Sequence, residues 1–436
     1  MKKVLIITYY WPPSGGAGVQ RWLKFAKDLN QFGIEPIVLT VDEGNASYAL
    51  IDDTLKIDID DSIIVVRTKT NEPFKLYSKF SKKNEIPYAG FANESKPTFF
   101  QKFMRFIRGN FFIPDARIGW NKFAIAEADK LIKLHNIDLI FTSSPPHSTQ
   151  LIGLALKRKF GIPWIADLRD PWTDIYYYKK FYHLPFAKKK DANIERKVLE
   201  EANSILVVSE TIKQLFQLKS DKIEFDKIRV IPNGFDESDF IFNDEIKIDL
   251  NTFILTYTGT LADNYNIDIL INSLKSIEVF LKGFILRFVG KVSPNQKNNI
   301  LQKNFLFKVE FIPYVEHKES IRYLLESNML LLVIPNVKDN EGILTGKIFE
   351  YLAAKKPILC IGPVNGDASK IIEECRTGCV FDYHDTKGIT AFIKENFTNK
   401  NGYFKDQNDL YKKYSRRYQA EILKEIIESE IKNFNL

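Results

Sequence analysis

"FILTYTGTLADNYNIDILINSLKSI", residues 253–277, changes its period midway, and that change decides the fold. The opening "FILTYTGTL" is a short apolar run that stops at a glycine, the pattern of a buried strand ending in a turn. Beyond it, Ile267, Leu270, Ile271, Leu274 and Ile277 recur at helical spacing, so one helix face is apolar throughout. A strand followed by a one-faced helix is the unit of a parallel sheet with crossover connections. The unit repeats in both directions. Downstream come "LRFVGKV", "VEFIPYV", "MLLLVIP", "PILCIGP" and "GCVFDY"; upstream stand "KVLIITYY", "EPIVLTVD", "IDLIFTSS", "IPWIADL", "NSILVVSE" and "IRVIPNG", with helical patterns between them. The polar segment 235–251 interrupts the alternation and reads as a hinge. We therefore expect an α/β protein of two doubly wound, Rossmann-like domains, 1–235 and 236–410, facing across a cleft into which the carboxyl ends of both sheets open. The stretch "YKKYSRRYQAEILKEIIESEI", in 411–436, reads as one long charged helix with no strand after it.

The bulk numbers agree with that division. A chain of 436 residues exceeds the size at which one core stops growing. With 45% hydrophobic and 27% charged residues it has the composition of an ordinary globular protein. A net charge of +7 favours anionic ligands or an anionic membrane surface without singling out nucleic acid, which we do not expect as a partner. The three cysteines, Cys360, Cys375 and Cys379, have no paired metal-ligand spacing and suit a reducing compartment. "MKKVLIITYYWPP" has too short an apolar run for a signal peptide and fits a buried first strand. No other run reaches membrane-spanning length, so we expect a cytoplasmic protein, soluble or peripheral.

Three loops carry the chemistry. "EGILTGKIFEYLAAKKP", 341–357, opens polar and glycine-bearing and closes as an amphipathic helix. N–H groups at a helix start lack internal partners and carry partial positive charge, which attracts an anion. Thr345, Gly346 and Lys347 stand at that start, and Glu350, one turn on, is a carboxylate able to accept two hydrogen bonds from a ribose diol. The alternative is an exposed helix glutamate and a plain loop glycine. "TYYWPPSGGAGVQRW", 8–22, follows the first strand with Gly15, Gly16 and Gly18 and precedes a helix with the apolar stripe Val19, Trp22, Leu23, Ala26 and Leu29. Arg21 stands where a dinucleotide fingerprint needs its third glycine, so a glycine loop offering amides to a phosphate or sugar is the better reading. In "TSSPPHSTQLIGL" His147 lies at the carboxyl end of a strand, where open sheets bind ligands, with a loop-structuring role as the alternative. "ADLRDPW" groups Asp167, Arg169 and Asp170, which either contact substrate or form an internal ion bridge. No nucleophile elbow, zinc helix or Walker loop is present.

The ordered set "YYWPPSGGAGVQR", "PDARIGW", "SPPHS", "IPWIADLRDPW", "VIPNGFD" and "GKIFEYLAAKKPIL" resembles bacterial glycosyltransferases of family 4, over essentially the whole chain. The resemblance implies the GT-B fold, with the terminal helix crossing back onto the first domain. It implies a nucleotide-sugar donor on the second domain and a glycan or lipid-linked acceptor, as in cell-surface polysaccharide synthesis, on the first. Transfer would retain the anomeric configuration, with no metal and no cofactor beyond the donor substrate. Residue by residue, Glu350 matches the ribose-binding glutamate, Thr345 and Gly346 the amides facing the diphosphate, Gly15 and Gly16 the first-loop glycines, and His147 the histidine that contacts the transferred sugar. Gly259 and Thr260 fall in the donor loop, and Arg21, Asp167, Arg169 and Asp170 on the acceptor side. Two features depart from the family pattern. Residues 342–349 separate Glu341 from Glu350, one more than usual, so Glu341 takes the sugar-contacting role only if the loop adjusts. Thr260 stands where the family has an arginine, so Lys347 is expected to neutralise the phosphate. Rival readings are a nucleotide-sugar 2-epimerase of the same fold and a non-catalytic glycan- or nucleotide-binding subunit.

A further expectation concerns "PTFFQKFMRFIRGNFF", 97–112. Thr98 and Gln101 form a capping-box pattern and Gly109 suits a helix stop. Phe99, Phe100, Phe103, Met104, Phe106 and Ile107 share one face, opposite Gln101, Lys102, Arg105 and Arg108. Such a helix, 98–112, lies on an anionic membrane surface or packs its aromatic stripe on the core.

Overall fold

The computed structural model describes residues 1–48, 50–72, 97–242, 246, 249, 251–399 and 409–434; the rest of the expected hinge, 243–245, 247–248 and 250, lies outside them. The chain divides into two compact units, Met1–Asn233 with Arg416–Leu436, and Gly234–Ser415.

Among the described residues the first unit holds β1 (Lys2–Thr8), β2 (Ile34–Val41), β3 (Ile64–Thr68), β4 (Leu139–Ser144), β5 (Trp164–Leu168), β6 (Ser204–Val207) and β7 (Ile228–Val230), in the order β3-β2-β1-β4-β5-β6-β7. Every pairing is parallel, with Ile6 opposite Val38 on one side and Phe141 on the other. Helices α1 (Ala17–Gln31), α2 (Phe99–Phe111), α3 (Asn121–His135), α4 (Ser148–Phe160), α5 (Pro185–Glu201) and α6 (Glu210–Gln217) connect them. Side chains alternate across a strand, so β1 feeds two cores. Leu5 and Ile7 pack with Trp120, Ala124 and Ile152 of the α3 and α4 side, while Val4 and Ile6 pack with Trp22, Leu23 and Ala26 of α1. The run that becomes β3 is absent from the sequence expectation. It is an edge strand with its residues exposed or half-buried, so it lacks the continuous apolar signature of its neighbours.

The second unit holds β8 (Phe253–Thr258), β9 (Phe284–Val289), β10 (Lys308–Ile312), β11 (Met329–Val333), β12 (Ile358–Ile361) and β13 (Gly378–Phe381), in the order β10-β9-β8-β11-β12-β13, again parallel. Its helices are α7 (Asp268–Ile277), α8 (Pro294–Gln302), α9 (His317–Glu326), α10 (Lys347–Ala354), α11 (Asp367–Glu374) and α12 (Thr386–Thr398). The α7 stripe Ile267, Leu270, Ile271 and Leu274 is fully buried against Phe253, Leu255 and Tyr257 of β8, so the period change that opened the reading is the packing of a strand under its crossover helix.

The terminal helix α13 (Arg416–Phe434) returns to the first unit. Ala420, Leu423, Ile427 and Ile431 pack on Trp22 and Ala26 of α1, and the Arg416 guanidinium donates to Gln20 Oε1 at 2.9 Å. The helix starts later than its charge pattern suggests. Residues Asp409–Tyr414 form a 3₁₀ turn, and Tyr411 and Tyr414 are buried in the second unit among Phe235 and Phe349. Their burial holds the backbone before the crossing, where Ser415 bridges to Phe235.

Strand order reverses between β1 and β4 in the first unit and between β8 and β11 in the second. A crevice opens at such a reversal, because the connections leave it on opposite faces of the sheet. The loops that follow those four strands carry Gly16, His147, Gly259 and Thr345.

Candidate active site

In the second unit α10 starts at Lys347, with Gly346 at its N-cap and no side chain capping it. The backbone N–H groups of Thr345, Gly346 and Lys347 donate to no acceptor among the described residues, and Thr345 Oγ1 is buried without a partner. Unpaired donors at a helix start attract an anion, so an acceptor from outside the chain is the natural complement. Lys347 turns across the loop after β8. Its Nζ donates to Tyr257 Oη at 2.6 Å and lies 4.1 Å from the centre of that ring, while Tyr257 Oη donates to Thr260 O at 2.8 Å. Gly259 makes room for it: φ is +93° there, and a Cβ would come 2.7 Å from Lys347 Cε. Burial pushes the Lys347 ammonium down to about 7, and the nearby Glu350 carboxylate offsets this only in part. The Gly259–Thr260 loop, which carries no cation of its own, thus has one laid against it from α10.

Glu350 Oε1 accepts from His317 Nε2 at 3.0 Å when the imidazole carries its proton on that nitrogen. His317, at the start of α9, was not a sequence candidate. It lies 33 positions away with no motif around it, and only the packing of α9 beside α10 joins the two. Tyr351 Oη reaches the backbone of Thr258 and Leu331, fixing α10 on β8 and β11. Glu341 is exposed on the preceding loop, where its carbonyl accepts from Asp367 N at 2.8 Å. Among the described residues no hydrogen bond or ion pair joins its carboxylate to Lys347, Tyr257 or Glu350.

In the first unit Gly16 has φ of +104° and open space where a Cβ would stand, and it caps α1. Gly15 donates to Leu50 O at 3.0 Å and packs against that leucine. His147 caps α4, stacks on Trp172 with ring centres 4.5 Å apart, and has Nδ1 buried without a partner. Burial, with Arg169 adding to it, pushes the imidazole down to about 4, so it is neutral at pH 7.

The acceptor-side candidates need correction. Asp167 is fully buried and accepts from Arg21 Nη2 at 3.1 Å, Trp22 Nε1 at 2.8 Å and Ser143 Oγ at 2.7 Å; Arg21 also donates to Pro232 O at 2.8 Å. These two residues form the internal ion bridge and are closed to a ligand. Arg169 donates to Ser144 O at 3.0 Å and crosses Gly18, where a Cβ would come 1.6 Å from its Nη1, so it braces the His147 loop against α1. Burial raises the Asp170 carboxyl, and no hydrogen bond joins it to Arg169 among the described residues. The helix expectation for 98–112 also changes. The capping box is present, but α2 runs through Gly109 to Phe111. Gly109 serves close approach instead, since a Cβ there would lie 2.7 Å from Phe181 O. Phe99, Phe100 and Phe103 are exposed, while Arg105 is buried and Arg108 turns inward, so the phenylalanines and not the arginines face outward.

Residues 88–239 match the family model described as Glycosyltransferase Family 4. The structure is similar to HepE of Anabaena in complex with UDP, at 13% identity over 98% of this chain and 100% of that one, with a TM-score of 0.63. It is similar to sucrose-phosphate synthase from Thermosynechococcus elongatus, at 12% identity over 98% and 99% of the two chains, TM-score 0.64. A TarM variant of S. aureus in complex with fondaparinux, α-GlcNAc-glycerol and UDP aligns at 13% identity over 100% and 99%, TM-score 0.57. No sequence among curated proteins matches the chain. Two doubly wound units with a returning terminal helix are the GT-B fold. The family match covers residues 88–239, within the first unit and the start of the second, and the likeness of the whole chain to these structures is one of fold.

Proposed function

We propose that the protein is a retaining glycosyltransferase that moves a sugar from a nucleoside-diphosphate sugar on the second unit to a glycan or lipid-linked acceptor on the first, in the synthesis of a cell-surface polysaccharide. The observation that carries the donor half is the start of α10, where three unpartnered amides, the buried Thr345 hydroxyl and Lys347 stand together. HepE and TarM, each solved with UDP, support the same donor class. Departure of a diphosphate builds negative charge on its oxygens. Fixed N–H donors and a cation already in place stabilise that charge without reorganising. In this reading the amides of Thr345 and Gly346 and the Lys347 ammonium hold the leaving group, and Glu350, oriented by His317, receives the ribose hydroxyls. His147 is neutral and orients the transferred sugar by hydrogen bonding. The departing phosphate takes the acceptor proton, and Glu341 is the loop carboxylate available to the sugar. Replacing Glu350 by alanine removes hydrogen bonds to a charged acceptor, each worth roughly 1.5–3 kcal/mol. Calorimetry should show UDP affinity lowered by at least about tenfold with the fold retained; unchanged affinity refutes the donor assignment.

A lipid-linked acceptor would bring the protein to the cytoplasmic face of a membrane as a peripheral protein. Among the described residues no helix is long and apolar enough to cross one. The feature that favours surface binding is the exposed α2 face, with Phe99 at 86%, Phe103 at 50% and Phe100 at 44% of full exposure. Aromatic side chains insert at the boundary between headgroups and acyl chains. Replacing all three by serine should abolish sedimentation with phosphatidylglycerol vesicles, and the wild-type binding should survive raised salt because it rests on apolar burial. Wild-type protein that ignores such vesicles overturns the idea.

A further inference from the structure

Arg108 has no part in the donor chemistry, and its setting is unusual. The end of α2 is pinned onto the loop 181–184. Gly109 lies against Phe181 O, Asn110 Nδ2 donates to Tyr182 O at 3.2 Å, and Asn110 Oδ1 accepts from Leu184 N at 2.6 Å. This anchoring fixes the residue before it. The Arg108 guanidinium stands over the Phe181 ring, 4.9 Å from its centre, and opens on a cavity of about 110 Å³ lined also by Tyr10, Arg117, His147 and Trp172. Among the described residues it has no hydrogen-bond or ion-pair partner. Burial pushes its pKa down to about 10, with Arg117 adding to the effect.

The carboxylates on the cavity wall are already engaged. Asp115 accepts from Ser148 N at 2.7 Å, Ser148 Oγ at 2.9 Å and Arg117 N at 2.8 Å. Asp191 accepts from Trp172 Nε1 at 2.9 Å and Tyr178 Oη at 2.8 Å. Unmet on the wall are the Arg108 fork, which can only donate, and the buried Nδ1 atoms of His147 and His183, each a donor or an acceptor according to its tautomer. A half-buried guanidinium without a partner is retained at a cost in desolvation that a bound anion offsets, and its planar fork matches a phosphate.

We propose that this cavity receives a phosphate group of the acceptor, with Arg108 as the residue that binds it and Arg117 as the second positive charge. The proposal rests on the glycosyltransferase reading and names the acceptor class, a phosphate ester. The same helix presents its phenylalanines outward, which suits a phosphate carried on a lipid. A soluble sugar phosphate has the same recognised group, and the test separates the two.

Calorimetry on the full chain with the donor site saturated by UDP decides it, using glycerol 3-phosphate and farnesyl phosphate as probes. Wild-type protein should bind at least one probe. Arg108→Gln should weaken that binding by about tenfold or more, and Arg108→Lys by less, since it keeps charge but loses the fork. UDP affinity and the thermal transition should not change in either variant. Tighter binding of farnesyl phosphate assigns the phosphate to a lipid, and equal binding assigns it to a soluble acceptor; both support the receptor. Failure of both probes to bind, or equal binding by Arg108→Gln, overturns it. If UDP does not bind while the probes bind in an Arg108-dependent way, the donor assignment fails and this one stands.

Discussion

Replacement of Lys347 by methionine is expected to lower the rate of sugar transfer by roughly 100- to 1,000-fold, the loss typical of removing one preorganised donor from a developing oxyanion. Methionine keeps the length of the side chain and its packing on Tyr257, so the loss reports charge. Single-turnover measurement at saturating donor separates it from weakened binding. A distinctive pH signature goes with it. The buried ammonium titrates at about 7 in the empty site, and a bound diphosphate favours the charged form, raising that value. Between the two values donor binding takes up a proton, so affinity must fall as pH rises above about 7, by up to a factor of about ten per pH unit. Heats of UDP binding measured at pH 8 in buffers of different ionisation enthalpy should reveal the uptake, and Lys347→Met should abolish it. Equal heats for wild type across those buffers would mean that Lys347 does not face the phosphate.

The second large effect is on stability. Asp167→Ala should destabilise the first unit by about 3–5 kcal/mol, because it leaves the Arg21 guanidinium buried and uncompensated. Trp22 Nε1 and Ser143 Oγ lose their acceptor as well. Together these contacts tie α1 to the ends of β4 and β5, so the glycine loop that leads into α1 should loosen with them. Denaturant unfolding followed by the near-ultraviolet signal of the five tryptophans, Trp11, Trp22, Trp120, Trp164 and Trp172, all in the first unit, reads the change. Since two units need not unfold together, the transition of the first unit and not a global midpoint is compared. A loss below about 1 kcal/mol would return Asp167 from the frame of the fold to the candidates for substrate contact.

Much of the fold was legible because strands buried on both faces write themselves as continuous apolar runs, and crossover helices as one-sided stripes. Both signals are local. Val4 to Ile7 and Leu330 to Val333 belong to two cores at once, so no polar residue interrupts them. The elements that escaped are those whose burial is partial or supplied from far along the chain. The half-exposed edge strand β3 has no such run. The start of α13 was misread because Tyr411 and Tyr414 carry a helical pattern yet are held by Phe235 and Phe349. The α10 cradle could be read from its residues, since an N-terminal helix end, a glycine and a lysine are consecutive.

Side-chain direction divides the rest. By itself the sequence determined the parallel α/β alternation, the helix start at Lys347 and the presence of Gly16 and His147 just beyond strand ends, because each depends on neighbours within one or two turns. Tertiary structure alone decided that Asp167 and Arg21 close on each other while Arg108 opens on a cavity, and that His317 meets Glu350. In sequence these are polar residues of similar setting. Whether a charge is a brace or a receptor depends on which partners reach it across the fold, and for a buried charge that partner count sets the free energy.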